Sequence, residues 1–206
     1  MSTPVALIAG VTGGIGSDLA RRLVAGGWAV CGTGRDAARL DALAATVPGV
    51  HGIVADATKP EDADRAVRET IARHGRLDAY VHAVGSIFLR NAHLTKPEEW
   101  HRVLEVNLTS AFLGLRAALG PMQTQGSGAI VLLSSAAAQA GLPGHEAIAA
   151  AKAGINGLVL SAAATYANRG IRVNAVAPGL VDTPLAAPLL ASEQARQFSE
   201  KMHPLG

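Results

Sequence analysis

The stretch HEAIAAAKAG, residues 145–154, is an alanine-rich helical pattern interrupted by one lysine, Lys152. The plainest reading of such a residue is a surface lysine that runs its methylenes along an apolar face and keeps its ammonium in water. One turn earlier on the same helix face stands Ile148, which has no proton to give. Three residues before that is His145, an imidazole able to act as an acid near neutral pH if the helix extends far enough to share the face. The segment GLPGHEA also reads as a turn into the helix, with His145 exposed and Glu146 favouring the helix N-terminus. Ser134 and Ser135 close the apolar run IVLLSS, but no G-x-S-x-G elbow accompanies them, so a serine hydrolase is poorly supported. The seven histidines form no H-E-x-x-H pair and the one cysteine, Cys31, forms no C-x-x-C, so no metal is expected.

A second constellation is made of glycine. In AGVTGGIGSDLA, Gly10, Gly14 and Gly16 follow a G-x-x-x-G-x-G spacing between the apolar run Val5–Ala9 and a helical pattern. Glycine there permits positive φ and lets backbone approach a pyrophosphate, whose charge suits a helix N-terminus. Alone, three glycines mark a tight turn; placed after a first strand and before a first helix, they read as a dinucleotide loop. The end of the second apolar run is Thr33-Gly34-Arg35, with no carboxylate before Asp36. An acidic residue there would bond the ribose 2′-hydroxyl of NAD, whereas a planar guanidinium accommodates a 2′-phosphate. Arg35 therefore points to NADP(H) over NAD(H), against the alternative of a solvated arginine that opens the next helix.

The elements that must hold these residues alternate along the chain. Strands are predicted at Val5–Ala9, Trp28–Thr33, His51–Ala55, Ala79–Ala83, Ala129–Leu133 and Ile171–Val176. Helices are predicted up to Val24, over Arg35–Thr46 with Asp36 as a cap, and over Glu61–Arg73. A long middle helix starts at the box Thr95-Lys96-Pro97-Glu98, and another runs through Lys152 to about Ala167. Six strand–helix alternations with near-continuous apolar strands predict an α/β fold, a doubly wound parallel sheet covered by helices on both faces. The 206 residues are 49% hydrophobic, enough for a core without staples. Eighteen basic against sixteen acidic residues, scattered and with only 3% aromatics, make nucleic acid a poor partner. Val5–Ala9 is too short and lacks the basic flank of a signal peptide, and no apolar run approaches the ~18–20 residues of a membrane span. No membrane partner and a cytoplasmic location are expected.

The glycine loop, Asn107 in VLEVNLTSAF, the double serine of IVLLSS and the run IRVNAVAPGLVDTP together resemble the short-chain dehydrogenase/reductase family, from Val5 to about Thr183. The resemblance implies a single Rossmann-type domain over 1–206 that moves hydride between a nicotinamide and a small carbonyl or alcohol substrate. It places Gly10, Thr12, Gly14, Ile15, Gly16, Arg35, Asp56, Ala57, Ala83 and Gly85 at the cofactor, with Asp56 on the adenine. Pro178, Gly179, Val181 and Thr183 would face the nicotinamide and its carboxamide, and Lys152 its ribose. Ser135 would polarise the substrate carbonyl, and Asn107 would hold a relay water through a distortion of its helix. HAVG, residues 82–85, stands where the family has Asn-Asn-Ala-Gly.

The family's catalytic tyrosine lies thirteen residues after the serine and four before the lysine. Counting from Ser135 and from Lys152 lands twice on Ile148. Reduction of a carbonyl needs a proton at oxygen as well as hydride at carbon, and loss of a positioned acid costs ~10²–10⁴-fold. His145 is the first candidate substitute, with Ser135 or water behind it; His82 is a second candidate on the far side of the cofactor. Two readings stay open: an NADP(H)-dependent oxidoreductase with a replaced proton source, and a nucleotide-binding sensor or assembly subunit without turnover. The segment 183–206 is expected to be weakly helical and to serve as a substrate lid. Relatives continue past the position of Gly206 with a final helix and strand, absent here, so self-association across the sixth strand's edge or low solubility is expected. The resemblance also implies a homodimer or homotetramer.

Overall fold

A computed structural model describes residues 2–201. Six strands, β1 (Val5–Ala9), β2 (Ala29–Gly34), β3 (Val50–Val54), β4 (Ala79–His82), β5 (Gly128–Leu133) and β6 (Ile171–Val176), form one sheet in the order β3-β2-β1-β4-β5-β6. Every pairing is parallel. The helices are α1 (Gly14–Ala25), α2 (Ala37–Thr46), α3 (Pro60–His74), α4 (Pro97–Leu104), α5 (Ser110–Gln125), α6 (Glu146–Tyr166) and α7 (Glu193–Lys201).

The pleat divides the core into two. Leu7 and Ala9 of β1 join the larger cluster with Val67 of α3, Leu115 and Leu119 of α5, and Ile155 and Val159 of α6. Ile8, between them, faces the other way and packs with Ala20 of α1 and Leu40 and Leu43 of α2. Burial on both faces is why β1, buried at every position, carries no polar residue. The strand order reverses between β1 and β4, so the loops leaving these two strands part to opposite faces and open a crevice at their carboxyl ends.

Several boundaries differ from the sequence pattern. Asp36 does cap α2, its carboxylate accepting the Arg39 amide at 3.2 Å, but the helix starts at Ala37 and leaves Arg35 in the connection. The expected box at Thr95 and Glu98 is displaced by one residue. Lys96 is the N-cap of α4 and its amide donates to Glu99 Oε2 at 2.9 Å. Thr95 is unavailable because its hydroxyl donates to the Asn91 carbonyl of the preceding turn at 3.1 Å. The middle helix runs on through a π-helical turn, Glu105–Thr109, between α4 and α5, a distortion at the Asn107 position.

The absence of membrane-span lengths is corrected as well. The continuous helical stretches Pro97–Gln125 and Glu146–Arg169 reach that length at mean hydropathy 1.2 and 1.5. Their apolar character has a local cause, since both pack on the sheet and supply the larger core cluster. After β6 the chain forms a short 3-10 turn, Ala187–Leu190, and then α7, consistent with weak helicity. The expectation for the end of the chain, Met202 to Gly206, lies outside the described residues. Among those described, β6 has no strand on its outer side.

Candidate active site

The glycine loop connects β1 to α1 at the reversal point. Gly10 has φ +80°, and a Cβ there would lie 3.0 Å from the Ala83 backbone at the end of β4. A Cβ on Gly16 would collide with the Gly10 carbonyl and lie 2.9 Å from Val11 Cα. Two glycines thus fold the loop back on itself and against its neighbour strand. The N-cap of α1 is Gly13, which offers no side-chain cap, and its first turn carries no acidic residue. The helix N-terminus is therefore ready for an anion such as a pyrophosphate.

At the neighbouring strand end Arg35 is exposed and belongs to no helix. The spacing arguments overlooked a second guanidinium, Arg39, whose Nη2 donates to the Thr12 carbonyl of the glycine loop at 2.8 Å. Its position on the first turn of α2 was a weak signal, because surface arginines are common. Asp56 follows β3 and is built into a turn: its Oδ1 accepts the Thr58 amide at 3.0 Å and the Thr58 hydroxyl at 2.8 Å. The Thr58 amide, then its hydroxyl and the charges of Arg35 and Lys59, hold the Asp56 carboxyl below its ordinary range against the opposing effect of partial burial. A narrow cavity of about 20 Å³ lies beside it, lined by Thr33, Ala55, Ala57, Tyr80, Ser110 and Gly114 among others.

The other half of the crevice is made of side chains. Asn107, in the π turn, is fully buried. Its Oδ1 accepts the Ser86 amide at 2.9 Å, and its Nδ2 donates to Ser86 Oγ at 2.9 Å and to the Val103 carbonyl at 3.0 Å. Asn107 therefore clamps the loop after β4, with Ser86 as a partner that spacing alone did not suggest. Lys152 is 8% exposed, and its Nζ donates to the Leu133 carbonyl at the end of β5 at 2.8 Å. Ser134 Oγ returns the connection by donating to the Lys152 carbonyl at 3.0 Å. This ammonium does not reach water along the helix surface as a snorkelling lysine would. Burial pulls its pKa down to about 8. A Cβ on Gly85 would lie 3.1 Å from Asn107 Oδ1 and 3.6 Å from Lys152 Nζ, so these two side chains converge on the backbone of Gly85.

Ser135 follows β5 in extended conformation, with its Oγ accepting the Ala137 amide at 3.2 Å. The next amide, Ala136, donates to the Pro178 carbonyl at 2.9 Å and so ties this loop to the one after β6. In that second loop Thr183 packs on the glycine loop, since a Cβ on Gly14 would lie 2.6 Å from Thr183 Cγ2. The segment from Thr183 onward thus begins directly above the dinucleotide loop.

Two histidine expectations change. His145 is the N-cap of α6 rather than part of it, and its Nδ1 lies 2.8 Å from the Pro143 carbonyl. The helical-face argument that would align it with Ile148 does not apply, because the turn GLPG precedes the helix directly. His82 is 1% exposed and both its ring nitrogens are engaged, Nδ1 with Tyr80 Oη at 2.9 Å and Nε2 with Ser110 Oγ at 3.0 Å. Ser110 Oγ donates onward to the Val106 carbonyl at 2.6 Å, so it must accept from Nε2 and the ring is the neutral Nε2–H tautomer. Burial first, and the Lys152 charge second, push the His82 pKa down to about 3. It is a structural bridge between β4 and the start of α5. Ile148 is buried with Val103, Ala147 and Ala151, against Phe88, Leu104 and Leu108.

Comparison with known proteins follows this geometry. Residues 10–206 match the family model described as Enoyl-(Acyl carrier protein) reductase. The chain is 34% identical to 2-(R)-hydroxypropyl-CoM dehydrogenase of Xanthobacter autotrophicus, across 88% of this chain and 76% of that one. It is also 34% identical to 3beta-hydroxysteroid dehydrogenase 1 of Eggerthella lenta, across 97% of this chain and 79% of the relative. Among solved structures, an actinorhodin polyketide ketoreductase variant with NADPH superposes with a TM-score of 0.88 at 28% identity, covering 100% of this chain and 80% of that chain.

Proposed function

The chain belongs to the short-chain dehydrogenase/reductase family and is an oxidoreductase of alcohol or carbonyl groups; from that premise we propose an enzyme that prefers NADP(H) to NAD(H) and works without the family's tyrosine, Ile148 standing in its place. The observation that carries this reading is the convergence of Lys152 Nζ and Asn107 Oδ1 on Gly85, beside the glycine loop and at the carboxyl ends of β1, β4 and β5. Bound there, a nicotinamide dinucleotide supplies or takes the hydride.

The residues present fit that group. The bare N-terminus of α1, with Gly14, Ile15 and Gly16 in its first turn, receives the pyrophosphate, and Thr12 and Gly10 shape the loop. Arg35 and Arg39 face the 2′-phosphate end, where a carboxylate would favour NAD. Asp56 and Ala57 bound the adenine, and Ala83 and Gly85 supply backbone without bulk. Pro178, Gly179, Val181 and Thr183 border the nicotinamide. Ser135 keeps its hydroxyl proton for the substrate oxygen, since the one bond it makes to protein is as an acceptor. Lys152 meets the ribose, and Asn107 fixes the loop after β4.

We read residues 1–206 as one dinucleotide-binding domain, residues 183–206 as a cover for the substrate, and the protein as a cytoplasmic homodimer or homotetramer. The exposed Phe112 of α5 and Leu160 of α6 support self-association. The substrate is a small, apolar carbonyl or alcohol. The competing reading, a nucleotide-binding sensor or subunit without turnover, is favoured by the buried and proton-free Ile148. Titration with NADPH and NADH by nucleotide fluorescence, followed by assay with cyclohexanone, cyclohexanol and a 3β-hydroxysteroid, separates them. The enzyme binds NADPH more tightly and turns over a member of the panel; the sensor binds and does not.

A further inference from the structure

We infer that Lys152 is itself the proton donor to the substrate oxygen in reduction, and the base that takes the alcohol proton in oxidation. This assignment rests on the oxidoreductase reading above and deepens it.

The argument is a census of protons at the crevice. His82 has one ring proton, held by Ser110, and its other nitrogen accepts from Tyr80. The Asn107 amide is bonded at both ends inside the protein. Tyr80 is fully buried behind the sheet and its hydroxyl faces His82. His145 belongs to the turn before α6. Ser135 can donate a hydrogen bond, but an alcohol does not release its proton near neutral pH. Lys152 carries three N–H bonds, of which one goes to Leu133. Two remain, enough for a ribose hydroxyl and a substrate oxygen.

Placement agrees with the census. The ammonium is held at the end of β5 by its own bond to Leu133 and by the Ser134 bond to its carbonyl, so it has little freedom to swing away. Beside it is Gly85, where a Cβ would press on Asn107 Oδ1 at 3.1 Å and reach Lys152 Nζ at 3.6 Å, so Nζ lies directly against the backbone that closes the crevice. Its surroundings also favour release of the proton. Among the described residues no carboxylate pairs with it, burial alone lowers its pKa, and of the charged and titratable groups on β4, β5, the π turn and α6 none contributes to that shift, while its own charge pushes down that of His82 on β4. A lysine poised near neutrality by burial is a suitable acid and base.

The step balances simply. Hydride from the reduced nicotinamide forms the new C–H bond, the C=O π pair moves to oxygen, and that oxygen takes one proton from Nζ. The neutral amine that remains is reprotonated by water. Oxidation runs in reverse, with the amine accepting the hydroxyl proton as hydride leaves the carbon.

The test uses the whole chain with NADPH and cyclohexanone, with NADP⁺ and cyclohexanol in the reverse direction, and a 3-oxosteroid as a second carbonyl. Reduction is expected to fall as pH rises through about 8 and oxidation to rise through the same midpoint, because the first needs the ammonium and the second the amine. Lys152→Arg keeps the charge and cannot release a proton, so at saturating NADPH it is expected to lose about 10²–10⁴-fold in turnover. Lys152→Ala is expected to regain rate with added methylamine or ethylamine, in proportion to amine basicity. Independently of activity, NMR titration of the Lys152 side chain is expected to give a midpoint near 8. A Lys152→Arg variant as fast as the parent, or a side-chain midpoint at the ordinary lysine value near 10.4, overturns the assignment while leaving an active oxidoreductase intact. NADPH binding without consumption of either carbonyl by the parent overturns the oxidoreductase reading, and the assignment with it.

Discussion

The two halves of the crevice are built from different materials. The β1–α1–β2 side presents glycine backbone and an uncapped helix end, with Arg35 and Arg39 at its rim. The β4–β5–α6 side presents buried polar side chains, each bonded inside the protein: Asn107 to Ser86 and Val103, His82 to Tyr80 and Ser110, Lys152 to Leu133. Backbone sites tolerate drift in side chains as long as the glycines stay. Side-chain sites do not, and on the proposed reading Ile148 in place of a hydroxyl changes which group moves the proton. That reading sets a backbone cradle for the dinucleotide beside an altered proton site.

The largest effect expected is on the cradle. Gly16→Val forces a branched side chain into the Gly10 carbonyl and Val11, and it is expected to abolish NADPH binding, a loss above about 100-fold by fluorescence titration. Next comes the altered side. Ile148→Tyr returns a phenol one helical turn from the Lys152 ammonium, and turnover in steady-state assays is expected to rise by about 10–100-fold, within the range that a positioned acid contributes. Unchanged turnover in that variant would show that the crevice no longer admits the usual geometry. At the rim, Arg35→Ala and Arg39→Ala are each expected to lower the NADPH-over-NADH preference by about 10-fold, the scale of one charge-assisted hydrogen bond. Equal weakening of both nucleotides would mean that these guanidiniums do not read the 2′-phosphate.

Smaller effects concern stability. Ser110→Ala leaves His82 Nε2–H without its acceptor, and chemical denaturation is expected to show a loss of about 1–3 kcal/mol. Lys152 gives a pH signature in the same assay. Its folded pKa, about 8, lies below its value of about 10.4 in the unfolded chain, so between these limits the unfolded state binds more protons. Stability contributed at this site therefore rises with pH from about 8 to 10, by up to about 3 kcal/mol, relative to Lys152→Met. A parallel pH dependence in parent and variant would place the ammonium in water.

The sheet and its glycine loop were legible in the sequence because their signals are local. Apolar runs separated by helical patterns give a doubly wound parallel sheet once right-handed crossovers are imposed, and Gly10, Gly14 and Gly16 sit within seven residues. Helix starts were less legible. The box expected at Thr95 moves to Lys96, because the Asn91 carbonyl takes the Thr95 hydroxyl. The polar clamps were the least legible, since they join residues far apart: Ser86 with Asn107, His82 with Ser110, Ser134 with Lys152. His82 is a second candidate proton source in the sequence, and only its buried partners on β4 and α5 make it structural. Lys152 is assigned to the cofactor on resemblance, with a surface lysine as the alternative, and its bond to Leu133 and its burial set that alternative aside.

The most direct measurement is a single-turnover reaction of the purified chain with NADPH and cyclohexanone or a 3-oxosteroid, followed by loss of the reduced nicotinamide and appearance of the alcohol. The account predicts stoichiometric conversion in the parent chain, slowing as pH rises through about 8. Tight NADPH binding with no conversion of either carbonyl at any pH would contradict it, and would leave the molecule as a nucleotide-binding protein with a dehydrogenase's architecture.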